Sequence, residues 1–91
     1  MTEKGQRWVP HAETLAQSGG EGVTRRILAY NDGLMCVENT FETGAVGALH
    51  SHPHTQITYV VSGVFSFTID GEEKIVRAGD TMLKEDRKSV V

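Results

Sequence analysis

Short runs in which apolar and polar residues alternate, separated by glycine-bearing turns, fill most of this chain. Residues two apart on a strand share a face. The runs Thr24–Tyr30, Leu34–Glu42, Gln56–Val61, Val64–Ile69, Glu73–Arg77 and Thr81–Leu83 read as strands. Helical periodicity is nearly absent. Its best stretch, His11–Gln17, stops at Ser18-Gly19-Gly20 and is too short to stand without tertiary support, so it predicts a turn or a loose arm.

The turns order these strands. Asn31-Asp32-Gly33 predicts a hairpin between the first two, with Gly33 supplying a positive φ. Ser62-Gly63 predicts that Val64–Ile69 pairs with Gln56–Val61. Asp70-Gly71, the strongest hairpin signal in the chain, joins Val64–Ile69 to Glu73–Arg77. Thr43-Gly44 turns the chain into Ala45–Ser51, and Pro53, which cannot donate to a ladder, predicts a bulge or an edge. In the second strand Met35, Val37, Asn39 and Phe41 alternate with Leu34, Cys36, Glu38 and Thr40; neither set is cleanly apolar, so both faces are expected to meet something. Six or seven short strands at turn spacings of about 8 to 12 residues favour an antiparallel sandwich or barrel.

Composition narrows the setting. Ninety-one residues suit one small domain, organised as an arm over 1–22, a barrel over 23–83 and a charged tail over 84–91 that is expected to be mobile. A domain of this size buries only about 60 to 65% of its extended surface, so help from a partner chain or a metal is expected. Nine Lys and Arg stand against 12 Asp and Glu, a net of −3 with no basic stripe, which disfavours nucleic acid as a partner. The single cysteine, Cys36, excludes an internal disulfide framework and points to the cytoplasm; it reads as a small buried hydrophobe. Met1–Arg7 carries no apolar signal core and no run approaches the roughly 20 apolar residues of a membrane span, so a soluble, unexported protein is expected. Trp8, Phe41, Phe65 and Phe67 read as core or interface anchors, and Tyr59, opposite in parity to Gln56, as packing.

Three of the four histidines fall within five residues, His50, His52 and His54, with Gln56 two further on. On an extended strand His50 and His52 project to one side and can clip a metal ion, and imidazole suits Zn, Fe, Ni, Cu or Mn. A bulge at Pro53 would re-aim the chain so that the side-chain oxygen of Gln56 takes a third position. His54 is either a further ligand or a group behind the ligands. The alternatives are a surface metal scavenger and a solvated turn with no role. The spacing of the fourth histidine, His11, does not argue for a ligand.

The wider pattern carries a resemblance. Gly44, five residues, His50-x-His52, three residues, Gln56, six residues and Gly63 resembles the first signature motif of the cupins, with Gln in place of the usual Glu. Gly71, then Glu72–Val76 and Arg77-Ala78-Gly79, resembles the opening of the second, with Arg77 for Pro. Together with Gly22–Ala29 and Leu34–Glu38, the chain looks like the small cupins of pectin and alginate breakdown, which linearise unsaturated uronates. The resemblance runs from about Gly22 to Leu83 and implies an all-β cupin-type jelly-roll barrel or sandwich, shortened at its C-terminus. It implies a divalent metal (Zn, Ni, Mn or Fe) on His50, His52 and Gln56. The family's later metal-binding His, and the acidic, aromatic and arginine groups that follow it, have no counterpart in Lys84–Val91.

A neutral Gln ligand leaves a divalent site about one unit more positive than Glu would, which favours a small acidic sugar as ligand. Gln56 cannot be the base, because an amide does not titrate. Arg25 and Arg26 alternate on their strand, so either could fork a carboxylate; the plainer reading puts both outward. Strands left without the missing segment would expose open edges, which predicts a homodimer, with exchange of N-terminal strands as one route. Three functions stay open: a metal-dependent isomerase or lyase-like enzyme of unsaturated uronates, a non-catalytic cupin module binding a small acid, and a shortened barrel with no intact site.

Overall fold

The computed structural model describes residues 2–47 and 55–85. After a 3-10 turn at His11–Glu13, the strands are β1 Ala16–Gly20, β2 Val23–Tyr30, β3 Met35–Phe41, β4 Gln56–Tyr59, β5 Val64–Ile69, β6 Glu72–Arg77 and β7 Thr81–Lys84. The protein is all-β, as the alternating pattern predicts. The chain divides into two compact units, Met1–Leu49 and His50–Val91. Among the described residues, no helix is long and apolar enough to cross a membrane.

In the first unit β1, β2 and β3 form one antiparallel sheet in that order. Val23 faces Phe41 and Ile27 faces Val37 across β2 and β3, giving the sheet one apolar face on which Val23 is buried. The N-terminal segment is bonded to the C-terminal part of β2 and to the hairpin that follows it. Thr2 Oγ1 donates to the Ile27 carbonyl at 3.2 Å, Gly5 N donates to the Tyr30 carbonyl at 2.8 Å, and Lys4 pairs with Asp32. Within the arm expected over 1–22, His11–Glu13 forms a turn, as expected of His11–Gln17, and the chain then enters β1, whose Ser-Gly-Gly sequence hides a strand that pairing with β2 supplies.

The first hairpin forms by a different device from the one expected. Gly33 stays out of the left-handed region. Instead the Asn31 side-chain Oδ1 accepts from the backbone N–H of both Gly33 and Leu34, each at 2.9 Å, and Asn31 N donates to the Leu34 carbonyl. This side-chain mimic of a backbone turn needs no positive φ after Asn31. Beyond it, Leu28 and Ala29 lie opposite the single Cys36, because Ile27 pairs with Val37 while Tyr30 pairs with Met35. At this bulge Cys36 is exposed, not buried as its residue type suggests. Trp8 is also no core residue: it is 86% exposed, and its segment is fixed through backbone groups, among them the Trp8 carbonyl, which accepts from Gln6.

The second unit holds two antiparallel pairs, β4 with β7 and β5 with β6. The β5–β6 hairpin turns through Asp70 at φ 49° and Gly71 at φ 81°. Two successive positive φ values match the twist of the flanking strands. The expected pairing of β4 with β5 does not occur. Val60 N donates to the Asp80 carbonyl at 3.0 Å and Gly79 N to the Val60 carbonyl at 2.8 Å, so the end of β4 is bonded to the entry of β7. Val60 and Val76 are the buried hydrophobics of this unit among the described residues. Lys84, expected to start the tail, is the last residue of β7; beyond Glu85 the expected tail lies outside the described residues.

Candidate functional site

The clip formed by His50, His52 and His54 lies outside the described residues, and so does the expected bulge at Pro53. Gln56 is described. It opens β4 and is half-buried, on the same face as Thr58. Its Nε2 donates to Thr58 Oγ1 at 3.2 Å, which turns the amide oxygen into the end available for a ligand bond. A carboxamide oxygen is a neutral hard donor that holds no proton to lose, the kind of group a divalent cation accepts.

The neighbours of Gln56 follow from the ladder. Gln56 pairs with Lys84 and Thr58 with Met82, so these four share one face of β4–β7. Lys84 is half-buried and adds a positive charge to that face. Met82 also lines an open concavity of about 320 Å³ with Phe67, Ile69, Lys74 and Val76. Lys74 sits opposite Phe67 on β5–β6 and is loosely paired with Glu72 at 3.8 Å. Glu72 and Asp80 line it too, so Lys74 is accompanied by two carboxylates and the concavity offers an apolar floor with a mixed charged margin. Among the described residues there is no group of three or more His, Cys, Asp or Glu that could hold a metal elsewhere.

The remaining candidates belong to the first unit. Both arginines are half-buried, so the expectation that both point to solvent is corrected. Arg26 is committed: its Nη1 donates to the Thr14 carbonyl at 2.8 Å and to Thr14 Oγ1 at 3.1 Å. Arg25 lies on the apolar face with Val23 and Ile27, opposite Asn39, and has no hydrogen-bond or ion-pair partner among the described residues. Of the two it is the one with a guanidinium to offer. His11 is engaged with Glu38, Nε2 to Oε1 at 2.8 Å. Sequence reasoning missed Lys84 as a neighbour of Gln56. Thr58 was visible as the next residue of the same parity, whereas Lys84 requires the β4–β7 register.

The all-β strand pairing fits a cupin, and comparison with known proteins shows one. Residues 37–87 match the Cupin_2 family, the cupin domain, and the chain belongs to that family. The pectin degradation protein KdgF of Dickeya dadantii (strain 3937) is 38% identical over 79 residues, which are 86% of this chain and 72% of that protein. An RmlC-like cupin from Shewanella frigidimarina NCIMB 400 has the same fold, with a TM-score of 0.84 at 33% identity over 92% of this chain and 76% of that one. The jelly-roll expectation and the resemblance to cupins of pectin breakdown are both met.

Proposed function

We propose that this cupin binds a divalent metal through His50, His52 and Gln56 and acts on 4,5-unsaturated uronates, converting them to linear keto-deoxyuronates. The observation that carries the proposal is the Gln56 amide, tied through its nitrogen to Thr58 and set beside Lys84, so that its oxygen is left for a cation. The likeness to a pectin degradation protein supports the choice of ligand. When bound, the ion would supply Lewis-acid polarisation of a uronate hydroxyl or carbonyl during ring opening.

The chain's own groups then do the rest. Gln56 adds no negative charge, so an anionic sugar is not repelled from the site. Lys84, across the ladder from Gln56, adds positive charge for its carboxylate, while Phe67, Ile69 and Met82 present an apolar wall to the ring. Arg25 is the candidate fork for a carboxylate. The protein is taken to be cytoplasmic, where an exposed thiol such as Cys36 stays reduced.

The test combines metal analysis of protein never exposed to chelator or nickel resin with an NMR assay on 4,5-unsaturated galacturonate. Stoichiometric divalent metal, lost in His52→Ala, and conversion faster than the spontaneous reaction are expected. A folded protein without metal would overturn the proposal. Ligand-induced stabilisation without product would replace the enzyme with a binding module.

A further inference from the structure

Two Asp-Gly pairs sit in hairpin turns of this chain, Asp32-Gly33 before β3 and Asp70-Gly71 between β5 and β6. All four residues are exposed. At such a pair the glycine nitrogen can reach the side-chain carboxyl of the residue before it, because Gly has no Cβ to obstruct the approach. What differs between the two pairs is the freedom of that nitrogen.

At the first pair it is occupied. Gly33 N donates to Asn31 Oδ1 at 2.9 Å, and the same oxygen holds Leu34 N, so this bond has to break before the nitrogen can turn towards the Asp32 carboxyl. At the second pair the ladder closes between Ile69 and Glu72, which leaves Gly71 N inside the turn and outside the ladder. Among the described residues no backbone carbonyl accepts from it. A Cβ on Gly71 would meet nothing within 4 Å, so the space beside it is open. Asp70, at φ 49°, is the one described non-glycine residue with a positive φ, a conformation that an L residue holds at a cost.

We infer that Asp70 is a site of spontaneous covalent modification, isomerising to isoaspartate through attack by the Gly71 nitrogen, and that Asn31 protects Asp32 from the same reaction. This inference is independent of the uronate reading. In the first step the Gly71 nitrogen bonds to Cγ of the protonated Asp70 carboxyl; the nitrogen's proton and the carboxyl hydroxyl leave as water, and a five-membered succinimide remains. In the second step water adds to one of the two ring carbonyls and opens the ring. Opening at Cγ restores aspartate, whereas opening at the backbone carbonyl carbon leaves the main chain running through Cβ and Cγ. One water is lost and one gained, and nothing is oxidised or reduced.

The consequence falls on the hairpin. Isoaspartate adds one carbon to the backbone of a two-residue turn whose paired positive φ values match the strand twist, so the closing pair Ile69–Glu72 is displaced. Both of those residues line the concavity of about 320 Å³, and its shape changes at that end.

The experiment incubates the full chain for weeks at body temperature and near-neutral pH, then locates isoaspartate by electron-transfer fragmentation of its peptides. Conversion at Asp70 is expected to run at least about tenfold faster than at Asp32, since the hydrogen bond that must break at Gly33 adds to that barrier. In heavy-oxygen water the isoaspartate carries one solvent oxygen. Asn31→Ala raises conversion at Asp32 about tenfold, while Asn31→Asp, which keeps an acceptor, does not. In urea that unfolds the chain, the two rates converge. After conversion, amide exchange at Ile69 and Glu72 is faster. An Asp70 that stays intact overturns the inference, as do equal rates at the two sites of the folded protein. A difference that survives in urea also overturns it, because the fold would then not be its cause.

Discussion

Arg26 and Thr14 are joined twice, by the Arg26 Nη1 donating to both the carbonyl and the hydroxyl of Thr14. Thr14 is buried, and its hydroxyl in turn donates to the His11 carbonyl at 2.6 Å. The pair fastens the segment that precedes β1 to the middle of β2. A buried hydroxyl and carbonyl that lose a charged donor are left partly unsatisfied.

Arg26→Ala is therefore expected to cost about 1–2 kcal/mol, the lower part of the range for a charged hydrogen bond because Arg26 is only half-buried. Urea unfolding measures the loss, and amide exchange should show faster opening at Thr14 and in β1 than in β5 and β6.

The His11–Glu38 contact lies near this fastening but is far more exposed, with side chains 60% and 39% accessible. Glu38→Gln should change stability by less than about 1 kcal/mol, and raising the salt concentration should shrink even that difference. Thermal melts of the two proteins at low and high salt check it.

The turns separate by mechanism. Asn31→Ala removes the acceptor for two backbone donors and should cost about 1 kcal/mol. Gly33→Ala should be neutral or slightly stabilising, since a Cβ there meets nothing closer than Asn31 Oδ1 at 3.8 Å and no positive φ is required. Gly71→Ala, at φ 81°, should lose about 1 kcal/mol. Gly22→Ala should lose more: it combines φ 74° with a Cβ placed 2.9 Å from that of Ala45. Denaturant midpoints of the four variants give the ranking.

Gln56→Glu tests the charge argument at the proposed site. The carboxylate should hold divalent metal more tightly, while affinity for an anionic sugar should fall about tenfold because the positive excess is gone. Metal analysis after dialysis and calorimetric titration with a uronate read the two effects separately. Lys84 faces the substituted position, so Lys84→Met in the same background should lower sugar affinity further.

The local features of this fold were legible in the sequence. The β5–β6 hairpin was written in Asp70-Gly71, and the face that Gln56 shares with Thr58 in simple parity. What escaped depended on partners distant in the chain. The pairing of β4 with β7 joins Gln56 to Lys84, and no turn signal announces a ladder closed over that separation. Strand β1 escaped because Ser18-Gly19-Gly20 has poor strand propensity and takes its conformation from β2. Cys36 was misjudged because its exposure follows from a bulge two strands wide. Of the candidate site, the position of Gln56 on β4 was legible, whereas the ammonium of Lys84 beside it was not; His50 and His52 lie outside the described residues.

The exposed sulfur at that bulge gives this protein a chemical handle. Cys36 is the one thiol in the chain, so a maleimide dye or nitroxide will attach at a single known position without prior mutagenesis, and a symmetric assembly would carry two labels whose separation can be measured. The same sulfur means that air oxidation can cross-link copies covalently, and aged material will then run at double mass for a reason unrelated to any apolar contact.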